Sequence, residues 1–236
     1  CVVIATGDPV AVVSGDVVDG ADDLYSPGVI DVVFGRTYAS SRKDERGALG
    51  AGWLHSFEQW IEIDGDTTVV HASGGVRVVF PAIAPGESAW SRTRGMELRR
   101  TRAGYELWAR ETRQTRDFAP LAPEGQAVLR CVRDTWGNRI ELVYDAGRLA
   151  SVLDTAKRQL RFHYAAGRLS RVELWARGKL QQSVSYEYDV SGDLSVVTDA
   201  LGQQQRYAYD AKHRLASKQL KNGTVFQYTY DKESDR

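Results

Sequence analysis

Along the second half of the chain, apolar and polar residues alternate in short runs, and each run stops at a turn. In Arg139-Ile140-Glu141-Leu142-Val143-Tyr144 the alternation puts Ile140, Leu142 and Tyr144 on one face of a strand, because successive side chains point to opposite sides. Asp145-Ala146-Gly147 then reverses the chain. Asp bonds amides two residues on, and Gly accepts positive φ. The phrase recurs from Asp134 to Asp231. Tyr144, Tyr164, Tyr188, Tyr209 and Tyr230 are spaced by 20, 24, 21 and 21 residues, and Asp145, Asp189, Asp210 and Asp231 follow four of them. Gly147-Arg148-Leu149, Gly167-Arg168-Leu169, Gly192-Asp193-Leu194 and His213-Arg214-Leu215 open the returning strands. Between units, Trp136-Gly137-Asn138, Arg177-Gly178 and Asn222-Gly223 mark further reverse turns, the last a two-residue hairpin signal. A fixed period of about 20 residues is the mark of a repeat architecture.

A lone hairpin is marginal in water and has an unpaired edge on each side. Units set side by side satisfy each other's edges and bring the tyrosines together as cross-strand neighbours, each aromatic pair contributing roughly 0.2–1 kcal/mol. The expected fold is all-β: antiparallel hairpin repeats in a sheet whose twist makes it curl as it grows. The sequence stops just after a Tyr-Asp and before the returning strand, so a fragment is expected, with the true sheet edge beyond it.

The first half shows the same alternation without the period. Gly7-Asp8-Pro9 turns into Val10–Val13, and Ser26-Pro27-Gly28 launches a strand over 29–38 with Ile30, Val32, Phe34 and Tyr38 on one face. A polar loop over 39–52 closes on Gly47, Gly50 and Gly52, glycines expected to let the backbone pass under the indole of Trp53. A meander follows over 57–63, 67–72 and 76–80, a break at 81–86, a hairpin around Ala103-Gly104, then strands at 114–118 and 127–133. The best division falls near 130, giving an N-terminal β module (1–130) and a repeat sheet (131–236) of about five units. Strands on both sides of that seam allow one continuous sheet.

Composition narrows the reading. Lys+Arg and Asp+Glu are both 31, and this neutrality argues against a generally basic nucleic-acid binder. Eleven Tyr, six Trp and 22 Gly against one Met suit a turn-rich β protein. No apolar run approaches the roughly 18 residues of a membrane span. Cys1 and Cys131 make no disulfide framework. Cys1 fits a cut through a longer chain better than the processed end of a lipoprotein, and Cys131 reads as a small packed side chain.

Candidate chemistry is sparse, and neither a metal nor a cofactor is expected. His55-Ser56 lacks a Gly-x-Ser-x-Gly elbow, so packing beside Trp53 is the stronger reading. His71, His163 and His213 have no metal-ligand spacing, and His213 stands where the repeat usually has Gly. The repeat aspartates lack calcium-loop clustering and read as turn caps. Strand alternation splits Arg92, Arg94, Arg99, Arg100 and Arg102 over two faces. The Tyr/Trp stripe reads as sheet-stabilising stacking, with the inner wall of a chamber as its consequence, in preference to a sugar-stacking platform.

The tandem Tyr-Asp and Gly-Arg-Leu phrases, with Asp134-Thr135-Trp136-Gly137-Asn138-Arg139, resemble the YD repeats of Rhs proteins. Gly7-Asp8-Pro9-Val10, Ser26-Pro27-Gly28, Phe34-Gly35-Arg36-Thr37-Tyr38-Ala39-Ser40 and Leu49-Gly50-Ala51-Gly52-Trp53-Leu54-His55-Ser56-Phe57 resemble the module that opens a bacterial Rhs shell. The resemblance implies part of a hollow β-cocoon, non-catalytic itself, which encloses a C-terminal toxin domain before delivery by type VI secretion. It implies that the N-terminal module closes one end. The implied partners are the chain's own C-terminal toxin domain, the remainder of the shell and a PAAR/VgrG-type secretion tip. The implied setting is the bacterial cytoplasm before export, then delivery into target cells. The alternative is an aromatic YD surface binding glycans at a cell envelope.

Overall fold

In the computed structural model, residues 15–121 and 125–230 are described. Cys1, Gly7, Asp8, Pro9, the run Val10–Val13 and Asp231 lie outside them. The regular secondary structure of the described chain is nearly all strand, with single 3-10 turns at Ser40–Arg42 and Ser73–Gly75.

One large antiparallel sheet carries most of the chain. Its strands from Ser88–Ser91 through Met96–Arg100, Tyr105–Ala109, Gln114–Pro120 and Ala127–Asp134 pair in sequence order. The order continues without crossover from Arg139–Asp145 to Val225–Gln227, as the short turns dictate. A meander of Trp60–Asp64, Thr67–Ala72 and Val76–Pro81 joins through Ala127↔Ile61 and Val128↔Trp60. Strand Ala127–Asp134 therefore shares one edge between that meander and the first repeat, and it runs across position 130. Among the described residues no ladder joins Val225–Gln227 to Trp60–Asp64, so the sheet is open.

A second, three-stranded sheet of Val18–Ser26, Val32–Ala39 and Trp53–His55 lies against the inner face of the repeats. Its inner row is Val32, Phe34, Arg36 and Tyr38, all buried. The alternation predicted that row, and Arg36 takes its place in it. Opposite stand the inward residues of the repeats, among them Leu142, Val152, Leu160, Phe162, Val172 and Leu194, and the two sets form one hydrophobic cluster. Phe34 meets Phe162 edge-on at 5.5 Å and His55 at 5.3 Å. Fully burying side chains of this size contributes about 1.5–3 kcal/mol each.

Three local expectations change. Val18–Ser26 and Ser88–Ser91 are strands that the hydrophobic pattern did not mark. Asn222-Gly223 is not a two-residue turn. Gln219 pairs with Val225, and Leu220 N–H donates to the Thr224 carbonyl at 2.8 Å, which closes a five-residue loop. The close approach of the glycine loop is not to the indole. A Cβ at Gly52 would run into the Tyr38 ring, and one at Gly50 would sit 3.0 Å from the Gly192 carbonyl.

Candidate functional site at the inner face of the repeats

The repeat motif links each unit to the one before it. The Tyr144 hydroxyl donates to the Leu129 carbonyl at 2.8 Å, Tyr164 to Leu149 at 3.0 Å and Tyr188 to Leu169 at 2.6 Å. Tyr209 donates to Leu194 and Tyr230 to Leu215, both at 2.9 Å. From Leu149 onward the acceptors are the leucines of the Gly-Arg-Leu phrases. A β-bulge falls just before each of the first four tyrosines, re-aiming the side chain locally. The arginine of one phrase then lies over the next tyrosine: Arg148 over Tyr164 and Arg168 over Tyr188 at 5.6 Å, Arg214 over Tyr230 at 4.1 Å. A Cβ at Gly192 would collide with Arg168.

The tyrosines do not stack on one another, contrary to expectation. Successive ones lie two strands apart, about 10 Å, beyond the ~7 Å reach of ring pairs. Burial instead pushes the Tyr164 hydroxyl up to about 12 and raises those of Tyr144, Tyr188 and Tyr209.

The turns come in two kinds. Asp189 accepts from the Ser191 and Asp193 amides, and Asp210 from those of Lys212 and Arg214, all at 2.9 Å. Burial works to raise the Asp210 carboxyl, but the Arg214 side chain and these amides outweigh it and hold the group below its ordinary value. After Asp145 the chain turns on Ala146-Gly147, and after Tyr164 on Ala166-Gly167, with both residues of each pair at positive φ. Two-residue hairpin turns require that geometry.

Onto this face the N-terminal sheet docks through buried polar groups. Arg36, 2% exposed, pairs with Asp23 at 2.9 Å and donates to Tyr207 Oη at 2.5 Å and Gln205 Oε1 at 2.6 Å. Its guanidinium carbon lies 5.1 Å from the Trp53 ring and 5.3 Å from the Tyr207 ring, which meet each other edge-on. Asp23 sits in the bulge of Val18–Ser26, where Asp22 faces Gly35 and Leu24 faces Phe34, and it also accepts from the Tyr186 hydroxyl at 2.8 Å. Lys218 pairs with Asp19. Trp53 Nε1 donates to the Tyr209 hydroxyl at 2.8 Å, and Tyr38 Oη accepts the Leu215 amide at 2.9 Å.

Loop and turn segments complete the contact. The Leu169 amide donates to the Ala48 carbonyl at 2.9 Å. Arg158, held by Asp154, donates to the carbonyls of Ser26, Pro27 and Ile30. A Cβ at Gly28 would collide with that guanidinium, which explains the Ser26-Pro27-Gly28 turn.

Arg36, Tyr38, Gly50, Gly52 and Trp53 thus converge on one interface with Tyr188, Tyr209 and Gly192, whereas Gly147 and Gly167 sit at turns. The sequence reading missed Asp19, Asp23, Arg158, Gln205, Tyr207 and Lys218. Gln205 and Lys218 carried a signal, since both are polar where other units are apolar.

His55 is buried against Phe34 and Phe162, and its Nδ1 accepts the Phe57 amide at 3.2 Å. Burial lowers its pKa, and Glu58 only partly opposes this. Glu58 Oε2 lies 3.9 Å from His55 Nε2, and the neighbouring Ser56 hydroxyl donates to the Val33 carbonyl at 2.9 Å. Among the described residues no group of three His, Cys, Asp or Glu side chains fits a metal ion, and no helix is long and apolar enough to cross a membrane.

The fold is an open antiparallel repeat sheet whose inner face is covered by the chain's own N-terminal strands. Residues 7–80 match a family model described as "Domain of unknown function (DUF6531)", and residues 188–225 match the RHS Repeat. The chain is 28% identical over 230 residues to the Probable deoxyribonuclease RhsA of Dickeya dadantii (strain 3937), covering 95% of this chain and 16% of that protein. It is 30% identical over 213 residues to the Double-stranded DNA deaminase toxin A of Burkholderia cenocepacia (strain H111), covering 86% and 15%. It is 28% identical over 243 residues to the Toxin protein Tse5 of Pseudomonas aeruginosa, covering 84% and 18%. The chain belongs to the Rhs/YD-repeat family. It spans less than a fifth of the length of these relatives.

Proposed function

We propose that this chain is a non-catalytic part of an Rhs-type toxin shell. In this reading residues 131–236 are wall and residues 1–130 close one end, so that a toxin domain later in the same protein stays enclosed until delivery by a type VI apparatus. The mechanism is steric. A shut sheet denies the cargo its targets, and the producing cell is spared. The observation that carries this is the inner face itself: the N-terminal strands occupy it through a buried network centred on Arg36. The test is protease digestion of the full-length parent protein. The cargo is expected to survive well beyond the isolated cargo, and equal rates overturn enclosure. The geometry does not favour the glycan alternative, because the ring faces that sugars would stack on are covered, Tyr188 by Arg168 and Tyr209 by Tyr38.

A further inference from the structure

The Gly-Arg-Leu phrase is broken at two positions, and both fall where the N-terminal module docks. At the position of Arg148, Arg168 and Arg214 the third phrase has Asp193, and at the position of Gly147, Gly167 and Gly192 the next unit has His213. The two exceptions touch. His213 Nδ1–H donates to Asp193 Oδ2 at 2.6 Å, and its Nε2 accepts from Arg46 at 3.1 Å. Arg46 also reaches the Ser191 carbonyl at 3.4 Å. Asp193 is 1% exposed, and its Oδ1 has no hydrogen-bond partner among the described residues. Leaving a buried oxygen unpaired costs stability, so packing alone does not explain an aspartate here.

An arginine at 193, placed as its counterparts are, would lie across Tyr209. That space holds Tyr38, 6.4 Å from the Tyr209 ring, and Trp53, whose indole N–H binds the Tyr209 hydroxyl. It would also bring a second cation towards Arg46. We infer that Asp193 and His213 are the recognition element that fixes which units the N-terminal glycine loop docks on. The docking is an intrachain event, and the inference does not depend on an enclosed cargo.

An independent gradient points to the same place. The inward cross-strand pairs run Leu142/Val152, Phe162/Val172, Tyr186/Val197 and Tyr207/Lys218 along the wall. Of these four pairs only the last two carry polar groups. These meet Asp19, Asp23 and Arg36 of the docked sheet.

The test restores the repeat rule with the double variant Asp193→Arg/His213→Gly in the intact chain, read by hydrogen exchange with mass spectrometry. Exchange over 45–57 is expected to speed up about tenfold or more, with 139–165 unchanged, as for a local opening. Adding Arg46→Glu should recover most of the protection, because the carboxylate introduced in the loop would face the new arginine. Unchanged protection over 45–57 overturns the inference. So does an equal loss over 139–165, which would make the pair a support of the wall itself, and so does a failure of the Arg46→Glu rescue.

Discussion

The first two repeats and the last two share a backbone plan and differ in what they show the interior. Around Leu142, Val152, Phe162 and Val172 the inner face is apolar, and the docked strands meet it with Phe34 and His55. Around Gln205, Tyr207 and Lys218 it is polar, and Asp19, Asp23 and Arg36 answer it. The apolar half supplies non-directional burial. The polar half supplies geometry, since a buried ion pair adds little net stability but is costly to break. A repeating wall offers several near-equivalent seats, and only directional contacts distinguish them.

Four experiments press on this contrast. The largest effect is expected from Arg36→Ala, which strands Asp23 inside the interface: about 3–5 kcal/mol lost, read by chemical denaturation. Replacing Asp19 and Lys218 together with apolar residues of similar size should be near neutral to stability. A loss as large as that of Arg36→Ala would mean the polar half stabilises as well as specifies.

Next come the tyrosines. Tyr164→Phe removes one hydroxyl bond, about 0.5–1.5 kcal/mol. Tyr209→Phe also orphans the Trp53 indole N–H, so roughly twice that loss is expected. Equal losses would show that Trp53 gains nothing from its seat.

The smallest effect concerns pH and belongs to the apolar half. His55 is neutral when folded because burial depresses its pKa, while in the unfolded chain it binds a proton at about 6.5. The unfolded state therefore holds more protons below that value, and stability falls as pH drops from 7.5 towards 5, by at most about 1.4 kcal/mol per unit. His55→Gln should flatten that slope in urea melts taken across the range.

Much of this fold was legible from alternation and turns. The meander strand Thr67–Ala72 matches its expected bounds, and every repeat strand follows the tyrosine period. What escaped shares one cause. Val18–Ser26 carries three aspartates and a glycine, and it is a strand because Lys218 and Arg36 neutralise its inward charges. Lys218 lies 199 residues from Asp19, and no local pattern announces such a partner. The tyrosine hydroxyl links were missed for a related reason: each belongs to two units, and a motif written unit by unit does not display them. His213 was noticed as an exception, but its meaning needed Asp193 and Arg46 beside it.

Every tyrosine link points backwards. Tyr144 binds a carbonyl made 15 residues earlier, and so do Tyr164, Tyr209 and Tyr230, while Tyr188 reaches back 19. A ribosome releasing this chain would therefore always present a latch whose catch already exists. Such a wall can be laid course by course in the order of translation.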